Sequence, residues 1–177
     1  MHAAPKPLFL PFRSRNLTRT LILGYGNPDR QDDGVAWHIL TRVAKALNRD
    51  IPSSYEDGLE PDGHEPDLFF LLQLTPELAE IIMDYDRVCF IDAHTGSMPD
   101  DLSWTKVDAC YQPSPLTHHL TPSSLLCLVD NLYHRQPEGV LVSVRGFKFD
   151  FAQTLSPQTS LLAKTAAEKI LVWLQAK

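Results

Sequence analysis

Leu21-Ile22-Leu23-Gly24-Tyr25-Gly26-Asn27-Pro28-Asp29-Arg30-Gln31-Asp32-Asp33-Gly34-Val35 is the stretch that decides how this chain is read. Residues 20–24 form a short apolar run, the pattern of a strand buried in a parallel sheet. The glycines and Asn27-Pro28 that follow make a tight turn, because glycine reaches backbone angles closed to other residues. Asp32 then reads as a helix N-cap. Val35, Ile39, Val43 and Leu47 recur every fourth residue and give the helix an apolar face as far as Leu47. Strand, turn and helix start form one wall of a pocket.

Working outward, residues 68–74 are a second strand, and Thr75-Pro76-Glu77 opens a helix to Met83. Residues 87–92 are a third strand; 102–107 alternate as an edge strand does. Thr121-Pro122 starts a helix to Tyr133 with Leu125, Leu128, Val129 and Leu132 inward, and 139–144 are a fifth strand. Ser156-Pro157 opens the last helix, with Leu161, Ala166, Ile170 and Leu174 on its buried side. Strands alternating with helices predict a three-layer α/β/α sandwich around a largely parallel five-stranded sheet. Residues 1–19, with Pro5, Pro7 and Pro11, are expected to be a loosely ordered arm, and 20–177 a single domain. Residues 48–67 read as a long surface loop, either functional or mobile, with His64 solvated within it.

The 177 residues, 44% hydrophobic and 21% charged, suit one well-buried globular domain. A formal charge of −6 argues against a nucleic-acid partner, which needs a basic face. No apolar run approaches the roughly 20 residues that span a bilayer, and Leu8-Phe9-Leu10 is too short for a signal-peptide core, so no membrane association is expected. Cys89, Cys110 and Cys127 are widely spaced and odd in number, which fits a reducing cytoplasm.

Ligands of open α/β sheets sit beyond the carboxyl ends of the strands. If strands one and three are parallel neighbours, Asp33 and Asp92 emerge on the same rim. Two adjacent carboxylates repel unless a cation or donor compensates, and a divalent metal compensates most. His118, just before the Thr121 cap, is the natural third ligand. If the fourth strand is antiparallel, residues 109–117 must bring the chain back. Nine extended residues span roughly 30 Å, which is enough. Two carboxylates and an imidazole suit Zn, Ni or Fe better than Ca or Mg, and three ligands leave positions open. Taken singly, each side chain also has an ordinary reading: cap, hydrogen-bonder or surface histidine. The Gly24–Gly26 pair could instead cradle phosphate. However, the third glycine of a dinucleotide fingerprint is replaced by Asp29, and a Walker lysine is absent.

Gly24-Tyr25-Gly26-Asn27, Asp32-Asp33-Gly34, Asp92-Ala93 and His118-His119-Leu120 resemble, in order and spacing, the motifs of the nickel-iron hydrogenase maturation endopeptidases. The resemblance runs from about Thr20 to the C-terminus. It implies an enzyme that removes the C-terminal extension of a hydrogenase large-subunit precursor after nickel insertion. Asp33, Asp92 and His118 would then be metal ligands reading nickel supplied by that client, with cadmium or zinc able to substitute. Gly24, Gly26, Asn27, Gln73 and Thr75 would form the turn and client-binding positions. Where many relatives carry Asp-Gly-Gly-Thr, this chain has Leu72-Gln73-Leu74-Thr75, and Asp33 stands where some have Glu. These departures point to a distinct client and to a metal held nearer the backbone. No Ser-His-Asp or Cys-His set is evident, so Asp32 and His119 are the candidates for carrying a proton. A non-catalytic metal checkpoint or client-binding protein of the same fold is the alternative.

Overall fold

The computed structural model describes residues 18–110 and 120–176. Five strands, β1 (Thr20–Tyr25), β2 (Asp67–Leu71), β3 (Arg87–His94), β4 (Leu102–Val107) and β5 (Glu138–Arg145), form one sheet. Their order is β2-β1-β3-β5-β4. All neighbours run parallel except β4, which pairs antiparallel with β5 at the edge. The helices α1 (Val35–Ala46), α2 (Leu78–Ile82), α3 (Pro122–Tyr133) and α4 (Pro157–Gln175) cover both faces.

Strand alternation divides the core in two. Ile22, Cys89, Ile91, Val140, Val142 and Val144 face α1 and α4. Leu21, Leu23, Phe69, Val88 and Phe90 face α2 and α3. This is the expected three-layer sandwich, and it brings β1 and β3 side by side, with Gly24 opposite Ile91. Among the described residues, no helix is long and apolar enough to cross a membrane.

Several local expectations change. Strand β2 stops at Leu71 instead of Leu74, because Leu72 and Gln73 have passed the rim into solvent. The helix after Pro76 is only Leu78–Ile82. In α3, Leu132 points outward at 62% exposure, and Leu126 packs inward beside Leu125 and Val129. In α4, Leu161 is 67% exposed, and Ala163, Ala166, Ala167 and Ile170 make the buried stripe. Small residues there let α4 lie close to α1, so size rather than hydrophobicity sets the buried face.

The 48–67 segment is tied down. Leu59 bridges Phe70, a single 3-10 turn spans Tyr55–Asp57, and Arg49 reaches Asp62 and the Pro66 carbonyl. Buried Asp67 accepts from the amides of Asp62 and Gly63 and from the Tyr85 hydroxyl. His64 is exposed and pairs with Asp62 at 3.0 Å, as a solvated loop histidine does.

Candidate functional site at the carboxyl rim

The site is built from the turn after β1 and the end of β3. Gly24 has no room for a side chain: a Cβ would lie 2.8 Å from Leu40 and 3.0 Å from Ala36 of α1. Gly26 adopts φ 135°, and a Cβ there would fall 2.2 Å from the Asp33 carbonyl. The turn therefore folds tightly onto the start of the helix, which is why glycine is needed at both positions. Asn27 fixes the loop, accepting from the Asp29 amide through Oδ1 (3.0 Å) while its own N–H donates to Asp33 Oδ2 (3.2 Å). Asp33 is thus aimed by the backbone of the turn, half-buried, at the rim.

Asp92 lies on the adjacent strand, on the face carrying Val88 and Phe90, and is half-buried. Its pKa is pushed up to about 7. Burial is the main cause, and the nearby Asp33 charge adds to it, against the stabilising pull of the Tyr25 hydroxyl and the Ala93 amide. The Tyr25 hydroxyl lies against Asp92 and is raised in turn, first by burial and then by the Asp92 charge. The structure therefore brings Asp33 and Asp92 to one rim, as the sequence predicts. Two carboxylates that feel each other's charge in a partly buried place have the chemistry of a cation site. Among the described residues, no third His, Cys, Asp or Glu completes such a group. His118 and His119 lie outside the described residues. The chain that leads to them is already beside α3 at Cys110, whose amide donates to Ser123 O at 3.3 Å.

Asp32 is the clearest correction. Its side chain does not cap its own helix, whose start carries no side-chain cap. It is fully buried and turns to the loop after β5. There it accepts from the Phe147 and Lys148 amides (2.8 and 2.9 Å), from the Ser156 amide and hydroxyl (2.7 Å each) and from Thr159 Oγ1 (2.9 Å). Burial pushes its pKa up, but these donors outweigh it and the net shift is downward. Asp32 pins the 146–156 loop and the start of α4 to the site wall. An enclosed carboxylate with every contact to scaffold donors lends no support to a proton-carrier role.

Gln73 is exposed and Thr75 half-buried just past the end of β2, on the same rim, where Leu72 is also exposed. The site also contains residues that sequence reasoning passed over. Asp29 accepts from Tyr55 Oη (2.6 Å) and Gln153 Nε2 (2.8 Å), joining the long loop, the first turn and the 146–156 loop. His94 is 7% exposed, and its Nδ1 accepts from the Gly96 amide at 3.1 Å, while its buried Nε2 has no partner among the described residues. A buried unpaired donor costs about 1–3 kcal/mol, so such a group calls for an explanation. The period of two along β3 could have found it, since residue 94 must share the face of residue 92.

No family model and no curated protein matches this chain. Solved structures do. The hydrogenase maturating endopeptidase HybD from E. coli shares 20% identity at a TM-score of 0.62, over 90% of this chain and 93% of that one. The [NiFe] hydrogenase maturation protease HycI from Thermococcus kodakarensis shares 18% identity at 0.62, over 89% and 93%. A hydrogenase 2 maturation peptidase from a Thaumarchaeota archaeon shares 19% at 0.58, over 90% and 100%. At these identities the similarity is one of fold: this chain has the α/β fold of those maturation proteases.

Proposed function

We propose that this protein is an endopeptidase that trims the C-terminal extension from the large-subunit precursor of a nickel-iron hydrogenase once nickel is in place. The observation that carries the reading is the meeting of Asp33 and Asp92 at the carboxyl rim, where Asp92 is raised to about 7 by burial and by its neighbour. Such a pair is poised for a cation that arrives with the client. The shared fold with hydrogenase maturation proteases supports the same reading.

In this account Asp33, Asp92 and His118 hold the client's nickel, for which cadmium or zinc can stand in. Asp33 is presented by the Asn27 amide and kept in place by the Gly26 turn. Leu72, Gln73 and Thr75 border the same rim and would meet the client. Asp32 holds the wall on which these groups stand, and His119 carries a proton for the cleavage. A bound ion would supply polarisation of the scissile carbonyl or of a water. A cytoplasmic location is part of this reading, and the odd number of widely spaced cysteines supports it.

The test is incubation with nickel-loaded and nickel-free precursors, scored by mass. The reading predicts loss of the tail only from the loaded precursor, and loss of that reaction in Asp33→Asn and Asp92→Asn. A client that binds in a nickel-dependent way but keeps its mass would support a checkpoint protein instead. Equal trimming by both variants would overturn the assigned site.

A further inference from the structure

We infer that Cys110 and Cys127 are a redox pair: two thiols that a small-molecule disulfide such as glutathione disulfide converts to an intrachain disulfide joining the exit of β4 to α3. The pairing needs nothing from the endopeptidase reading. Its basis is one backbone oxygen. The Cys110 amide donates to Ser123 O at 3.3 Å. Ser123 is the i−4 residue of Cys127 within α3, so the Cys127 amide donates to the same oxygen along the helix. Two donors on one carbonyl oxygen stand about 5–6 Å apart at nitrogen. A disulfide joins Cα atoms about 4.4–6.8 Å apart, so these two cysteines are held at bridging separation.

Packing fixes the approach. Val107, the last residue of β4, is buried in one cluster with Leu125, Leu126 and Val129 of α3. Gly139 lets strand and helix close up: a Cβ there would fall 2.5 Å from Leu126 and 3.1 Å from Val107. The chain leaving β4 is therefore already against α3 at Cys110. A helical side chain lies over the turn before its own Cα, which for Cys127 is the turn of Ser123, where Cys110 is tied. Cys110 is exposed and Cys127 half-buried, so a dissolved reagent reaches the pair. Asn131 Nδ2 touches the Cys127 sulfur at 3.2 Å, a weak contact that a sulfur–sulfur bond replaces. Cys89 takes no part. It is fully buried on the sheet face toward α1 and α4, away from α3, and burial pushes its thiol pKa up, which keeps it from the reactive thiolate form.

Closure takes two exchange steps. The Cys110 thiolate, the more exposed, attacks one sulfur of glutathione disulfide. That S–S bond breaks, one glutathione leaves as a thiolate, and a mixed disulfide remains on Cys110. The Cys127 thiolate then attacks the Cys110 sulfur, forms the Cys110–Cys127 bond and expels the second glutathione. Together the protein thiols give up two electrons and two protons, and the glutathione disulfide takes them up as two thiols. In a reducing compartment the pair stays open, and an oxidised glutathione pool closes it. The bond ties residues 110–127 into one covalent loop, which restricts the unfolded chain and raises the thermal midpoint.

The test incubates the full chain with glutathione disulfide in the absence of denaturant, alkylates the remaining thiols, and reads intact and peptide masses. Wild type is expected to show Cys110 linked to Cys127, Cys89 still a thiol, and no glutathione retained. Cys127→Ser should instead keep one glutathione on Cys110, because no second thiol displaces it, and Cys89→Ala should form the link as wild type does. The oxidised wild type should melt at least about 3 °C above its reduced form, a gain absent from Cys127→Ser. Glutathione that stays on Cys110 of wild type overturns the inference. So does a link through Cys89, a disulfide between two chains, or thiols that all remain reduced. A midpoint that fails to rise on oxidation means that the bond strains the fold, and overturns the stated geometry.

Discussion

Replacing Asp92 by asparagine should make the protein more stable while destroying its site. The carboxyl rises from 3.8 to about 7 in the fold, because burial and the Asp33 charge both oppose ionisation. Between those values the native state keeps a proton that the unfolded chain has lost. Stability therefore falls as pH rises through this window and is lowest above about 7. Each tenfold change in proton affinity is worth about 1.4 kcal/mol, so the fully ionised group costs on the order of 4 kcal/mol. Solvent at the half-buried rim trims this toward about 2. Asparagine carries no charge and can still accept from the Ala93 amide, now made at 2.8 Å. Urea denaturation at pH 8 should show Asp92→Asn more stable by about 2–4 kcal/mol, with the gap closing to below about 0.5 kcal/mol near pH 4. A variant less stable than wild type at pH 8, or a gap that does not vary with pH, would refute the reasoning. A gain in stability at the expense of activity is the usual signature of a working site.

Three further perturbations follow from the same geometry. Asp32→Ala strands donors from Phe147, Lys148, Ser156 and Thr159, and should cost about 3–5 kcal/mol in denaturant unfolding. Because the Asp32 pKa is lowered in the fold, its contribution is present above 3.8 and lost as pH falls through the lower folded value, so the variant should lack that part of the acid transition. Gly26→Ala forces a methyl toward the Asp33 carbonyl at a positive φ, and should cost roughly 2 kcal/mol or more and displace Asp33, read as a lower thermal midpoint together with lost processing. Leu126→Ala should cost about 2–5 kcal/mol, whereas Leu132→Ala should stay within about 0.5, because the first is 2% exposed and the second 62%.

What could be read in advance was local or periodic. The end of β1, the Gly-bearing turn and the alternation of β4 are signals within a few residues, and each appears where the pattern puts it. The pairing of β1 with β3 was only a condition in the sequence, and the structure supplies it, and with it the approach of Asp33 to Asp92. What was misread depended on distant partners or on size. Asp32 looks like a cap because a carboxylate stands at a helix start, yet its partners lie 115 to 127 residues away. Leu132 and Leu161 look like core because they are apolar, but tight packing between layers takes Ser124, Thr159 and alanines instead. Leu72 continues an apolar run beyond the point where the sheet ends. The 48–67 loop has no period, so nothing local announces that Tyr55 will reach Asp29.

The most direct measurement is a calorimetric titration of cadmium(II) into the wild-type chain and into Asp33→Asn, Asp92→Asn and His118→Ala. The account predicts one ion per chain, weakly held, with affinity falling at least about tenfold in each variant. Binding that survives all three substitutions unchanged would contradict it.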